Sequence, residues 1–146
     1  MEINCFSLKR TFVCRLREDF DLYDELTKIA IQKNIQLAKI SLIGAVKCGK
    51  VGYFNQTTKE YQIHTFKKPM EIISCLGNIS LKENIPFVHC HIVFSDENGN
   101  AFGGHLFSGT KVFACEVFID EYEGSVERNF DNSTSLFLWE DKCVIK

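Results

Sequence analysis

Apolar positions in this chain follow two periods that divide it sharply. Leu22, Tyr23, Leu26, Ile29 and Ala30 recur at helical spacing behind Asp19 and Asp21, either of which suits an N-cap, while Asp24 and Glu25 crowd the first turn. Lys28 and Lys33 lie toward the far end and Asn34 makes a stop, so the pattern predicts one main helix over residues 20–33. Elsewhere the pattern is strand-like. Thr11 to Leu16 is β-branched and aromatic; Ile35 to Val46 and then Val51 to Phe54 read as further strands before a turn at Asn55 to Thr58. Tyr61 to Phe66 alternates, Glu71 to Leu76 makes a strand that Gly77 to Leu81 continues or bulges, and Lys82-Glu83-Asn84 turns the chain. Strands around His89 and His105 follow, and Val112 to Tyr122 is the last of the series. One early helix and a run of strands predict an α+β fold with a mostly antiparallel or mixed sheet.

At 146 residues the chain is long enough for one real core and short for two, so residues 1–146 read as a single domain. Its core runs from about residue 8 to 122, and a more polar tail over residues 123–146 docks on it through Leu136-Phe137-Leu138-Trp139. Trp139 serves equally well as an interface anchor. Thirteen phenylalanines in strand-like surroundings fill a β-rich core or a subunit interface. A net charge of −2, from 17 basic and 19 acidic residues, supplies no bulk attraction to DNA, and the close basic residues Lys9-Arg10, Lys67-Lys68, Arg15 and Arg17 form no basic arm. The seven cysteines are odd in number, scattered and without C-x-x-C spacing; with no secretory pattern, they predict reduced thiols in a cytoplasmic protein. No apolar run approaches the roughly 20 residues needed to span a bilayer, which predicts no membrane partner.

The chemistry concentrates in Pro86-Phe87-Val88-His89-Cys90-His91 and, beyond the turn-rich Asp96-Glu97-Asn98-Gly99-Asn100, in Gly103-Gly104-His105-Leu106. On a strand His89 and His91 share a face, with Cα atoms roughly 6.6–6.8 Å apart, while Cys90 points the other way. Asn98-Gly99 is a strong hairpin signal that would return His105 beside them. Three neutral imidazoles make a first shell for Zn2+ or a similar divalent metal, with nitrogens at about 2.0–2.1 Å and a fourth position open to water or a small ligand. The bland alternative is that His-x-His also arises on half-exposed strands, and a glycine pair can simply bend one. His64, between Ile63 and Thr65, reads as a surface or interface histidine. Cys90 is the leading cysteine for reactivity only through its neighbours, and Glu116 is either a carboxylate supporting the histidines or an ordinary solvent-facing glutamate.

From about Thr11 to Trp139 the chain resembles the plant-and-prokaryote conserved (PPC) domain in its short stand-alone prokaryotic form. The matching segments are Ser41-Leu42-Ile43-Gly44-Ala45-Val46 with Gly52-Tyr53-Phe54, Pro69 to Ser80, the histidine segment, and Ala114-Cys115-Glu116-Val117-Phe118-Ile119. The order P-F-x-H-x-H, G-G-H-L, E-V-F-I is more specific than any one of them. The resemblance implies an α+β subunit, usually a homotrimer, in which His89, His91 and His105 match histidines proposed to bind metal in prokaryotic members. Such proteins are often labelled as DNA-binding, but the basic AT-hook that grips the minor groove in plant members has no counterpart here. Leu42 stands where many relatives have glycine, and Glu71 matches a glutamate linked with assembly, an interface candidate here. Two functions compete: a homotrimer with a three-histidine metal site that takes a small ligand or activates water, and a DNA-associated regulator or protein-assembly module with structural histidines. No catalytic residue is assigned.

Overall fold

The computed structural model describes residues 4–139. In chain order its elements are β1 (Leu8–Leu16), α1 (Leu22–Gln32), β2 (Ala38–Asn55), β3 (Glu60–Phe66), β4 (Met70–Lys82), β5 (Ile85–Ser95), β6 (Ala101–Leu106), β7 (Lys111–Tyr122), β8 (Glu127–Asp131) and β9 (Leu136–Trp139). This is the expected α+β arrangement in one mixed sheet. Asp21 caps α1, its carboxylate accepting from the Asp24 amide at 3.3 Å, and Asn34 leaves the helix at φ +49°. Leu22, Leu26 and Ala30 are fully buried, forming the stripe that α1 lays on one face of β5. Each such leucine contributes about 1.5–3 kcal/mol by leaving water.

All pairings are antiparallel except β4 with β8. β2 pairs with β4, β4 with β5, β5 with β6, and β6 returns to β2, so these four strands close a ring of pairings; β7 and β1 extend the sheet from the first half of β2. The two strands expected over Ile35–Val46 and Val51–Phe54 are thus one 18-residue strand. Across Lys47-Cys48-Gly49-Lys50 the backbone stays extended while changing partners, from β4 and β7 to β3 and β6. Gly44 sits at the register shift of β2 against β4, at φ +146°, where a Cβ would lie 2.1 Å from the Ala114 carbonyl oxygen. That bulge follows Leu42, which is buried on the core side.

The core lies on the face covered by α1, around the fully buried Phe94, Ile40, Ile79, Ile119, Val88 and Leu106. The opposite, outward face of the sheet carries Val13, Phe118, Ile43, Ile73, Leu76 and Val93, all exposed. Beyond β7 the polar segment forms a second feature that periodicity did not predict: β8 lies parallel to the end of β4, Leu81 opposite Glu127, and β9 pairs back on β8. Trp139 belongs to β9, with its ring 5.5 Å from the Arg128 guanidinium carbon. The part of the tail beyond it, residues 140–146, lies outside the described residues.

Candidate metal centre

On β5 the even positions Val88, Cys90, Ile92 and Phe94 are buried, which turns His89 and His91 together to the outward face. The hairpin to β6 is built on Asp96. Its carboxylate accepts from the amides of Asn98 and Asn100 at 3.0 Å each and from Lys68 Nζ at 2.7 Å, and Gly99 supplies φ +77°. The register that follows sets His105 directly opposite His91. The Gly103-Gly104 pair has a steric reason. A Cβ on Gly103 would sit 2.6 Å from the Ile92 carbonyl oxygen and one on Gly104 2.7 Å from that of Gly52, so only glycine lets β6 lie between β5 and β2.

The three imidazoles converge, with ring centroids 5.2 Å (His89–His91), 5.0 Å (His89–His105) and 5.6 Å (His91–His105) apart. One nitrogen from each falls within 4.8 Å of the other two. Nitrogens bound to one tetrahedral ion at about 2.0–2.1 Å would stand roughly 3.3 Å apart, so the rings would have to draw closer to hold one. Burial, reinforced by the positive charge neighbouring histidines and Arg128 would add, pushes His89 and His105 down to about 4. Both rings are therefore neutral at pH 7, the form that ligates. His105 Nδ1 is buried without a hydrogen-bond partner among the described residues. A buried nitrogen left so carries a desolvation cost, and a cation is one partner that would remove it. The donor set fits a borderline divalent ion.

Unlike surroundings flank the set. His105 packs against Phe107 at 4.8 Å and Tyr61 at 5.3 Å, ring to ring, while Arg128 brings Nη2 to 3.4 Å from His89 Nδ1. His91 is exposed and leaves the outward side open. Sequence reasoning overlooked Arg128, Tyr61 and Phe107; Tyr61 was visible only as one position of an alternating strand, and Arg128 lies in a polar stretch without a periodic signal. The other candidates lie elsewhere. Glu116 is exposed on β7 opposite Ile43 and Arg15, with β2 and β4 between it and β5, so it does not support the histidines. Glu71 is exposed on β4 opposite Ala45 and Ser95, and His64 is exposed on β3 opposite Val51. Cys90 is buried on the opposite face, away from the histidines and from solvent.

The sequence profile of the Plants and Prokaryotes Conserved (PCC) domain matches residues 4–123. This chain belongs to that family. Among solved structures, the PCC chain is similar to a metal-containing protein from Archaeoglobus fulgidus, with 41% identity and a TM-score of 0.90 over 97% of this chain and 100% of that one. It is likewise similar to a plant- and prokaryote-conserved (PPC) protein from Pyrococcus horikoshii, with 38% identity and a TM-score of 0.91 over 99% and 100%. A Bacteroides thetaiotaomicron protein described as a candidate DNA-binding protein shares 26% identity at a TM-score of 0.86, over 94% and 98%. No curated protein matches the chain. Among the described residues no helix is long and apolar enough to cross a membrane.

Proposed function

We propose that this PCC-domain chain is a metal-binding protein in which His89, His91 and His105 hold one zinc-like divalent ion and leave a position for a small ligand. The observation that carries this reading is the convergence of three imidazoles, one of which, His105, keeps a buried Nδ1 without a hydrogen-bond partner among the described residues. The likeness to a protein named as metal-containing supports it. The bound ion would supply a Lewis acid able to polarise an oxygen donor. The chain supplies the rest. β5 and β6 fix the rings across one register, burial keeps His89 and His105 unprotonated, the Tyr61–Phe107 wall keeps bulk water from one side, and the exposed side at His91 admits the ligand. The outward apolar face, continuous with His91 through Leu76, supports association of copies, which we take to be the homotrimer of the family resemblance. Cysteines free of disulfides among the described residues suit a cytoplasmic setting.

Metal per chain, measured by plasma mass spectrometry on protein purified without a tag or chelator, should be about one for the native sequence. In His89→Ala/His91→Ala and His91→Ala/His105→Ala it should fall to near zero with unchanged circular dichroism. Native metal content in either double variant would overturn the site. A second reading, association with DNA, is favoured by the name of the Bacteroides relative. Genuine phosphate contacts would make binding fall steeply with salt; no binding at low salt removes this reading, which a net charge of −2 already disfavours.

A further inference from the structure

Arg128 lies beyond the residues matched by the family profile, on the β8 strand that lies along β4. Its side chain folds back over the outward face of β4. Only 6% of the residue is exposed. Three of its five N–H donors are committed to neutral acceptors: Nε donates to Ser80 Oγ at 2.7 Å, Nη2 to Asn78 Oδ1 at 2.7 Å and Nη1 to the Phe137 carbonyl at 3.1 Å. The Phe87 and Trp139 rings lie 5.5 Å from the guanidinium carbon. The group is therefore held in one orientation, with N–H capacity left over and Nη2 3.4 Å from His89 Nδ1.

No carboxylate pairs with it among the described residues. Its sequence neighbour Glu127 accepts from the Asn84 amide instead, and the salt bridges among the described residues leave Arg128 out. A guanidinium keeps its charge even when buried, so a buried one without a countercharge is costly to maintain. The cost grows at this site. Among the described residues no acid joins the histidine cluster, so a divalent ion there would sit beside a fixed positive charge with no described carboxylate to offset either. One small anion that reached both the ion and the guanidinium would offset the two charges together. Proteins place arginine rather than lysine where a planar carboxylate is to be read in a fixed orientation. The opposite flank, Tyr61 and Phe107 against His105, is an aromatic wall, which suits the apolar body of a carboxylate better than a phosphate needing donors all round.

We propose that Arg128 makes the three-histidine centre a receptor for small carboxylates, with the acid group shared between the ion and the guanidinium. This rests on the metal-binding reading, and the test separates the two. Full-length native chain, Arg128→Gln and Arg128→Lys would be loaded with Co2+, their metal content measured, and then titrated at constant ionic strength with acetate, with its neutral isostere acetamide, and with inorganic phosphate. Calorimetry and the visible Co2+ spectrum report binding. The expected result is full metal content in all three proteins and acetate binding weakened roughly ten- to hundredfold in Arg128→Gln, the range for losing a charged hydrogen-bond partner. Arg128→Lys should recover part of it, and acetamide should bind all three alike. Acetate affinity within twofold of native in a fully loaded Arg128→Gln would overturn the proposal. So would an arginine dependence shown by phosphate and not by acetate, or loss of metal in both variants, which would make Arg128 a support for His89 alone. A native chain that takes up no metal would instead sink the metal-binding reading itself, before any anion is added.

Discussion

Asp96 shows how much of the site depends on one carboxylate away from it. It receives Lys68 and the Asn98 and Asn100 amides, and so fixes the hairpin that brings His105 opposite His91. The Lys68 hydrogen bond first, then the Asn100 and Asn98 bonds, hold its carboxyl well below the usual range. With the folded value below the unfolded one of 3.8, the unfolded chain binds the extra proton. The resulting stabilisation is present above about pH 4 and is lost as pH falls further. Asp96→Asn should therefore lower Tm at pH 7, and its gap to the native chain should narrow below about pH 4; equal thermal melts of the two at pH 7 would contradict this. The histidines were legible at the same level of detail, because a period of two dictates that His89 and His91 share a face wherever the strand lies. Arg128 was not. Its role comes from Ser80, Asn78 and His89, residues 39 to 50 positions away in sequence, and no local pattern encodes such an encounter.

Among the elements, α1 was the most readable, since cap, acids and stripe all agree with the observed Leu22–Gln32. Asp21 does more than cap. Besides the Asp24 amide it accepts from the Gly109 amide at 2.7 Å and faces Lys111, tying the helix start to the loop before β7. Asp21→Ala should cost about 1–2 kcal/mol, the upper range for a lost N-cap, seen as a lower urea midpoint at unchanged slope; a midpoint within error of native would mean water replaces these bonds. The strands were readable as strands, but their ends were less so. β2 runs on through Lys47 to Lys50, between the two stretches that the pattern marks, where the missing Cβ of Gly49 makes room for Phe94, whose ring would come within 2.7 Å of one. β8 escaped notice because Glu127-Arg128-Asn129-Phe130-Asp131 is polar at nearly every position, and it is a strand because it pairs with β9 and with the end of β4.

For the molecule as a whole, the unresolved element of the sequence was where thirteen phenylalanines would go. They divide: Phe94 is wholly buried, while Phe113 and Phe118 stand on the exposed side of β7, more than 45% accessible. In the register Val13, Phe118, Ser41, Leu76 and His91 form one row across the outward face, so the proposed assembly surface and the proposed metal centre adjoin. Replacing Leu76 and Phe118 together by aspartate should shift the mass in sedimentation from an oligomer to a single chain at micromolar concentration. A native chain that sediments as a monomer would remove the assembly reading.

Period and punctuation alone determined that this chain is one α+β domain with an early helix, that the later strands alternate inward and outward, and that three histidines could meet across a hairpin. Those properties are local: each follows from side-chain direction, capping or turn chemistry within a few residues. Folding in three dimensions decided the ring of pairings through β2, the depth at which His89 and His105 lose their solvent, the exposed apolar row, and the placing of Arg128 beside the histidines without a countercharge among the described residues. These depend on which distant strands share an edge, and burial and charge balance exist only once those edges have met.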